Sequence, residues 1–136
     1  NKIALGHHMS DVIETTLMGM MYGSQLQGML PRLKSTNCEG MELIRPLYCI
    51  LEEDILRWCE YNGLHFIRCA CRFTEKASCD SDASKRLETK LLIKELKKTN
   101  PDIEHNLFNS IHRCHVDTMV GYKQDGVLHS FLEKLD

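Results

Sequence analysis

The stretch Lys2–Glu14, K-I-A-L-G-H-H-M-S-D-V-I-E, decides the fold that this sequence predicts. Its apolar run at positions 3–5 is closed by Gly6, which is typical of a strand buried on both faces. Ser10 or Asp11 can then cap a helix whose apolar residues recur at helical spacing. A buried strand, a tight turn and a helix form half of a βαβ unit, so the sequence predicts an α/β fold.

Three polar side chains follow this predicted strand: His7, His8 and Asp11. In open α/β sheets, ligands bind outside the carboxyl ends of the strands, which is where these groups would lie. Imidazoles and carboxylates are costly to bury, so their presence here needs a reason. They are candidate catalytic residues. The alternative is that the two histidines are ordinary turn residues and that Asp11 only caps the helix.

Composition limits the classes of protein that need to be considered. The 136 residues amount to one domain, 43% are hydrophobic and 26% are charged, which is ordinary for a globular protein. The net charge of −2 does not itself indicate nucleic-acid binding, so any such surface would be local. No run approaches the roughly 18 apolar residues of a membrane span, and no signal peptide is present. We therefore expect a cytoplasmic protein.

Seven cysteines at irregular spacing indicate reduced thiols rather than a disulfide framework. Cys49 and Cys59 lie in apolar stretches and are expected to be buried. Cys69, Cys71 and Cys79 follow a predicted strand, and thiolates gathered there could bind zinc or an iron–sulfur cluster.

The remaining chain predicts alternating strands and helices. Strands are predicted at Met41–Pro46 and Leu64–Ile67, a loop or ragged hairpin at 24–40, and a hairpin around Asp125–Gly126. The predicted helices are Asp11–Tyr22, Leu51–Asn62, Ser84–Lys98 and one from Asn100 to His112. The buried stripes predicted for the second, third and fourth of these helices are, in order, Leu51, Ile55, Trp58 and Cys59; Leu87, Leu91, Leu92 and Leu96; and Ile103, Leu107, Phe108 and Ile111.

Four basic residues are candidates for contacts with phosphates. Arg45 ends a predicted strand, where its guanidinium could bind a phosphate or pair with Asp11 or Glu14. Lys85, Arg86 and Lys90 lie on a strongly basic predicted helix, which could follow an RNA backbone or form an ordinary solvated face.

The segments KIALGHHMSDVIETTLM and IRPLYCILEEDI resemble the second half of the PP-loop ATP pyrophosphatase domain in tRNA 2-thiolation enzymes, most closely the tRNA 2-thiocytidine synthetases. The family pattern is G-H-H, one variable residue, D-D and I-E-T. Gly6, His7, His8 and Asp11 match it, whereas Ser10 replaces the first aspartate. "SKRLETK" matches a further family region at the basic helix.

This resemblance implies a partial doubly wound parallel sheet of the adenine nucleotide alpha-hydrolase type, with C-terminal helices. It implies ATP and Mg²⁺ as cofactors, tRNA and a sulfur donor as partners, and adenylation of a pyrimidine C2 carbonyl followed by sulfur transfer. The implied roles are catalysis by Asp11, His7 and His8, cofactor binding by Gly6 and Arg45, and tRNA contact by Lys85, Arg86 and Lys90. By position, Cys69 matches the family cysteine that joins an upstream C-x-x-C pair to hold a [4Fe–4S] cluster, whereas the C-x-C of Cys69 and Cys71 departs from the family pattern.

The glycine-rich phosphate loop of the family has no counterpart here. The chain therefore resembles a C-terminal half, with residues 1–115 in the PP-loop domain and 116–136 as a hairpin or tail. We expect no ATPase activity from it alone. We also expect the free edge of its first strand to be covered by the missing half or by a second copy in a dimer. The alternatives are a non-catalytic metal- or nucleic-acid-binding module and a lysidine-synthetase-like ligase.

Overall fold

The computed structural model describes residues 1–66 and 81–135. The strands are β1 (Lys2–Ala4), β2 (Arg32–Lys34), β3 (Glu42–Ile44), β4 (Gly121–Gln124) and β5 (Val127–Ser130). The helices are α1 (Met9–Gly23), α2 (Glu52–Tyr61), α3 (Ser81–Thr99) and α4 (Ile103–His112), and short 3₁₀ helices span Val116–Thr118 and Phe131–Lys134. Among the helices within these ranges, none has the length and hydrophobicity needed to cross a bilayer.

A three-stranded mixed sheet carries the N-terminal part of the chain. Its order is β1-β3-β2, with β1 parallel to β3 and β2 antiparallel to β3. The α/β class is thus confirmed, but the doubly wound parallel sheet is not, because the segment before β3 returns as a hairpin strand. Lys2 and Ala4 are exposed and Ile3 is half-buried, so the expectation of a strand buried on both faces is wrong within the described residues.

Two other strand predictions need adjustment. Residues 64–66 do not form a strand, and the last residue of that predicted strand lies outside the described ranges. The ragged hairpin predicted at 24–40 contains β2, which pairs with β3 in the register Leu33 to Leu43. Among the described strands, only β3 pairs with β1. That the missing half or a second copy covers the other edge of β1 stays a prediction.

The core lies where α1, α3 and α4 meet. Met9 and Ile13 of α1 and Ile93 of α3 are at most 7% exposed, and the half-buried side chains of Leu17, Leu51, Leu107 and Phe108 pack against them. The inward face predicted for α4 is consistent with this arrangement, since Leu107 and Phe108 contact the core.

The buried face of α3 is not the predicted leucine stripe. Thr89 and Ile93 are buried, whereas Leu87 and Leu91 are 58% and 57% exposed. Thr89 is buried without cost to its hydroxyl, because Oγ1 donates to the carbonyl oxygen of Lys85 at 2.8 Å. The apolar periodicity of α3 therefore identified the wrong side of the helix. The other two leucines of that stripe, Leu92 and Leu96, are also exposed.

The burial predicted for α2 is correct only in part. Cys59 is buried as expected, but Trp58 is 58% exposed, and Cys49 just before the helix is exposed. The C-terminal hairpin is confirmed: β4 and β5 are antiparallel, and Asp125 and Gly126 both have positive φ, as a two-residue turn requires.

Candidate active site

The turn after β1 lies between two backbone anchors. The amide of Leu5 donates to the carbonyl oxygen of Ile44 at 2.8 Å, and the amide of Met9 donates to that of Ile50 at 2.9 Å. Because β1 and β3 are parallel, both anchors lie at the carboxyl ends of these strands. Residues 5–8 are therefore held at the sheet edge where α/β proteins bind ligands.

His8, rather than Ser10 or Asp11, caps α1. Its Nδ1 accepts a hydrogen bond from the Asp11 amide at 3.4 Å, and its own amide donates to Oδ2 of Asp11 at 3.0 Å. This is the reciprocal pattern of a capping box, with histidine at the cap position. Since Nδ1 is an acceptor, the ring proton of neutral His8 lies on Nε2. Asp11 is thus the third residue of the helix in this capping box rather than the cap itself, and one of its oxygens is fixed by the His8 amide.

His7 contributes a ring nitrogen with a free hydrogen-bonding capacity. Its Nδ1 is buried and has no hydrogen-bond partner within residues 1–66 and 81–135. A buried polar atom without a partner is costly, and such atoms are common where a ligand is to be bound. Gly6, the neighbouring predicted residue, has open space around the position of a Cβ atom.

Arg86 on α3 faces two carboxylates of α1. Its Nη1 lies 3.2 Å from Oε2 of Glu14 and 3.8 Å from Oδ1 of Asp11. Glu14 is 4% exposed, and burial raises the pKa of its carboxyl, although the charges of Lys90 and Arg86 oppose this shift. Lys90 and Arg86 therefore both supply counter-charge to this buried carboxylate, and Arg86 does so at salt-bridge distance.

Lys90, one turn further along α3, pairs with Glu52 of α2 at 2.7 Å. Burial would lower the pKa of the Lys90 ammonium, but the hydrogen bond to Glu52 and the nearby acidic charges outweigh it and raise the pKa. The Glu52 amide in turn donates to Oγ of Ser10 at 3.1 Å, and so Ser10 caps α2 rather than α1. Two of the three residues predicted to contact tRNA, Arg86 and Lys90, thus pair with acidic residues of other helices.

The other basic candidates lie further from these carboxylates. Arg45 donates from Nη1 to the carbonyl oxygen of Leu30, so the alternative in which it pairs with Asp11 or Glu14 is wrong. Lys85 lies 3.5 Å from Asp82, and its Nζ is 5.6 Å from the centre of the Tyr22 ring.

A groove of about 590 Å³ lies between α1, α2 and α3. Ser10, Glu14, Glu52 and Lys90 line it, over an apolar floor that includes Ile13. His7, His8 and Asp11 are not among its lining residues. The groove therefore adjoins the ion pairs and not the turn itself.

The candidate metal ligands Cys69, Cys71 and Cys79 lie outside the described ranges. Among the residues that are described, no three His, Cys, Asp or Glu side chains are placed to hold a metal ion.

The comparison with known families concerns the unit formed by β1, the turn at residues 5–8 and α1. The family model of the PP-loop domain matches residues 1–72, more than half of the 136 residues. The chain belongs to the PP-loop domain family. The match includes β1, the turn, α1, the whole mixed sheet and α2, whereas the candidate residues Cys79, Lys85, Arg86 and Lys90 lie beyond it.

Curated relatives extend the similarity beyond this PP-loop domain match. The tRNA-cytidine(32) 2-sulfurtransferases of Burkholderia lata and Burkholderia multivorans are 38% identical over 111 residues, and that of Paraburkholderia phytofirmans is 36% identical over the same length. Each match covers 81% of this chain and 31% of the relative. The chain thus spans about a third of the length of these relatives.

Sequence reasoning missed two features of this PP-loop domain site. It considered RNA contact or a solvated helix face for Arg86 and did not predict the contacts of Arg86 with Asp11 and Glu14. The spacing of three between those two acids, which puts them on one face of a helix, was a usable signal. No sequence signal linked Ser10 to the first turn of α2, because that contact joins residues 42 positions apart.

Proposed function

We propose that this chain is part of an ATP-dependent tRNA 2-thiolation enzyme and supplies one wall of its active site. The observation that carries the proposal is the match of the strand–turn–helix unit to the PP-loop family, with relatives that are named tRNA-cytidine(32) 2-sulfurtransferases. In this proposal the pyrimidine oxygen at C2 attacks the α-phosphorus of ATP and pyrophosphate leaves. A sulfur nucleophile then attacks C2, and the C2–O bond breaks to release AMP.

The chain's own residues would act on the proton transfers and on ligand orientation. The carboxylate of Asp11 lies at the strand end and is fixed on one side by the His8 amide, so it can accept the proton of the incoming sulfur nucleophile. His8 can donate from Nε2, because its Nδ1 is occupied in the cap. The Nδ1 of His7, which has no hydrogen-bond partner in the described part of the chain, fits a hydrogen bond to bound ATP, which supplies the electrophilic phosphorus.

Magnesium and an iron–sulfur cluster are implied by the resemblance but are not used in these steps. The two acids nearest the turn, Asp11 and Glu14, both face Arg86, and the described residues contain no three-residue ligand group. Asp11 and Glu14 therefore do not form a metal centre by themselves. The predicted cluster cysteines Cys69, Cys71 and Cys79 lie outside the described ranges, and we derive no step through them.

The role that we propose for each basic residue depends on how strongly it is already paired within the protein. Lys85, whose side chain is 37% exposed, keeps the proposed role in tRNA contact, since its pair with Asp82 is of the weak surface type. Arg86 and Lys90 would first have to leave Glu14 and Glu52. Arg45 keeps its proposed place near ATP at the end of β3. Because the matched relatives are named sulfurtransferases, we favour sulfur transfer over an amine-adding ligase.

A chimeric enzyme tests this proposal. The segment of the Burkholderia lata relative that matches this chain is replaced by the chain, and the chimera is expressed in bacteria that lack their own 2-sulfurtransferase. We expect 2-thiocytidine to reappear in their tRNA, measured by mass spectrometry of digested nucleosides. Asp11→Asn should reduce it at least tenfold, because the carboxylate can no longer accept a proton.

Asp102→Asn is the matched control, since it makes the same chemical change at the N-terminus of α4, where the side chain makes no capping bond. It should leave the thiolation level unchanged. A folded chimera that forms no 2-thiocytidine, or an Asp11→Asn chimera with full thiolation, would contradict the proposal. For the 136-residue chain alone, we expect no release of AMP or pyrophosphate from ATP.

A further inference from the structure

Arg86 makes the contact that links α3 to the candidate catalytic turn. Its Nη1 lies 3.2 Å from Glu14 and 3.8 Å from Asp11, and these two acids are one turn apart on α1. The Glu14 side chain is only 6% exposed, that of Asp11 is 24% exposed, and that of Arg86 is 46% exposed. One cation thus lies between a buried carboxylate and a partly open one.

The two oxygens of Asp11 face different groups. Oδ2 accepts from the His8 amide at 3.0 Å, and Oδ1 faces Arg86. The carboxylate thus has one oxygen toward the His8 amide and the other toward the guanidinium. Without the guanidinium, Oδ1 would lose its cation, and Asp11 would lie one turn from a like charge on Glu14 that has lost its salt-bridge contact and keeps only the more distant charge of Lys90.

Lys90 does not replace Arg86 in this position. Its ammonium is bound to Glu52 at 2.7 Å, and its charge acts on Glu14 without a direct contact of salt-bridge length. A single ammonium is also a point charge, whereas the planar guanidinium can contact two carboxylates at once.

We propose that Arg86 is a positioning residue, which holds the carboxylate of Asp11 in its catalytic orientation by pairing with Asp11 and Glu14 together. The catalytic part of this statement rests on the function proposed above for Asp11. The positioning itself is a property of the folded chain and can be measured without ATP or tRNA. It differs from an RNA contact, in which Arg86 would face a phosphate.

Hydrogen exchange of the His8 amide, followed by NMR on the 136-residue chain, reports the orientation of Asp11 because that amide donates to Oδ2. In Arg86→Gln we expect the His8 amide to exchange roughly tenfold faster, the scale of one charge-assisted hydrogen bond. The amides of Val12 and Ile13 serve as references for global opening. Arg86→Lys keeps the charge and should give an intermediate rate.

Lys94→Gln is the matched control, because it removes the same charge from the same helix and Lys94 lines the groove rather than the turn. It should not change the His8 rate. If Arg86→Gln does not fold, the double variant Glu14→Gln with Arg86→Gln removes the buried unpaired charge and still leaves Asp11 without its cation. The proposal would be overturned if the His8 amide exchanged at an unchanged rate in Arg86→Gln, or in the double variant where Arg86→Gln does not fold. It would also be overturned if Lys94→Gln changed that exchange rate by the same amount.

The chimeric enzyme separates the two proposals. Positioning predicts that Arg86→Gln lowers kcat for tRNA thiolation at least tenfold with little change in KM for tRNA. A higher KM with unchanged kcat would mean that Arg86 contacts RNA, and the positioning role would be wrong. If the chimera forms no thiolated tRNA while the His8 amide responds as expected, the proposed function fails and the positioning of Asp11 stands.

Discussion

The orientation of α3 leads to a sharp prediction about two apolar side chains on that helix. Ile93 is 7% exposed in the core, whereas Leu91 is 57% exposed. Truncation of Ile93 to alanine removes three carbons at about 0.8 kcal/mol each, and the cavity left beside Met9 and Ile13 adds about 1 kcal/mol. We therefore expect Ile93→Ala to lower the free energy of unfolding by about 3 kcal/mol.

Leu91→Ala removes the same number of carbons from a site that is less than half buried and leaves no closed cavity. The expected loss is about 1 kcal/mol, and the gain in helix propensity is only a few tenths for both variants. Urea unfolding followed by circular dichroism measures the difference. With an m-value of about 1–2 kcal/mol per molar urea, the midpoints of the two variants should differ by at least ~1 M.

Ile93→Val provides a graded version if the alanine variant is unfolded in buffer, with an expected loss of about 1 kcal/mol. The reasoning would be refuted if Leu91→Ala cost as much as Ile93→Ala. That result would mean that the leucine side of α3, which the sequence pattern favoured, is the packed side after all.

Three further predictions concern the turn, the ion pairs and the hairpin. Ser10→Ala should lower the free energy of unfolding by about 1 kcal/mol through loss of the cap on α2, whereas Ser10→Asp should keep it; denaturant unfolding measures both. Glu14→Gln should become more stable relative to the unchanged chain as pH rises from acidic to neutral. The reason is that burial raises the pKa of Glu14, so the contribution of Glu14 to stability is lost as pH rises through that raised pKa; a relative stability that falls over this range would contradict it. Gly126→Ala should cost about 1 kcal/mol locally because φ is +83°, seen as faster amide exchange in β4 and β5 with α1 unaffected.

Local signals in the sequence were sufficient for the elements that depend on local chemistry. The Asp125–Gly126 turn, the end of α2 before Gly63 and the inward face of α4 could all be predicted from turn residues and spacing. The candidate turn at residues 5–8 was found for the same reason, because a short apolar run, a glycine and polar residues lie close together in the chain.

Features that depend on long-range packing could not be predicted in the same way. The side of α3 that is buried is set by its packing against α1, where Ile93 clusters with Met9 and Ile13, and leucine spacing alone cannot identify it. The direction of β2 depends on the hairpin that follows it. His8 was not predicted as the cap because histidine seldom takes that position, whereas serine and aspartate commonly do.

The hydroxyl of Ser10 has a consequence for how this end of the molecule moves. It lies in the first turn of α1 and accepts from the first residue of α2, and the Met9 amide is bonded to Ile50 close by. These two hydrogen bonds therefore link the N-terminus of α1 to the N-terminus of α2 and to the residue pair just before it. A ligand that draws the 5–8 turn inward would pull the 45–51 connection with it, and the amides of Met9 and Glu52 would slow their exchange in step.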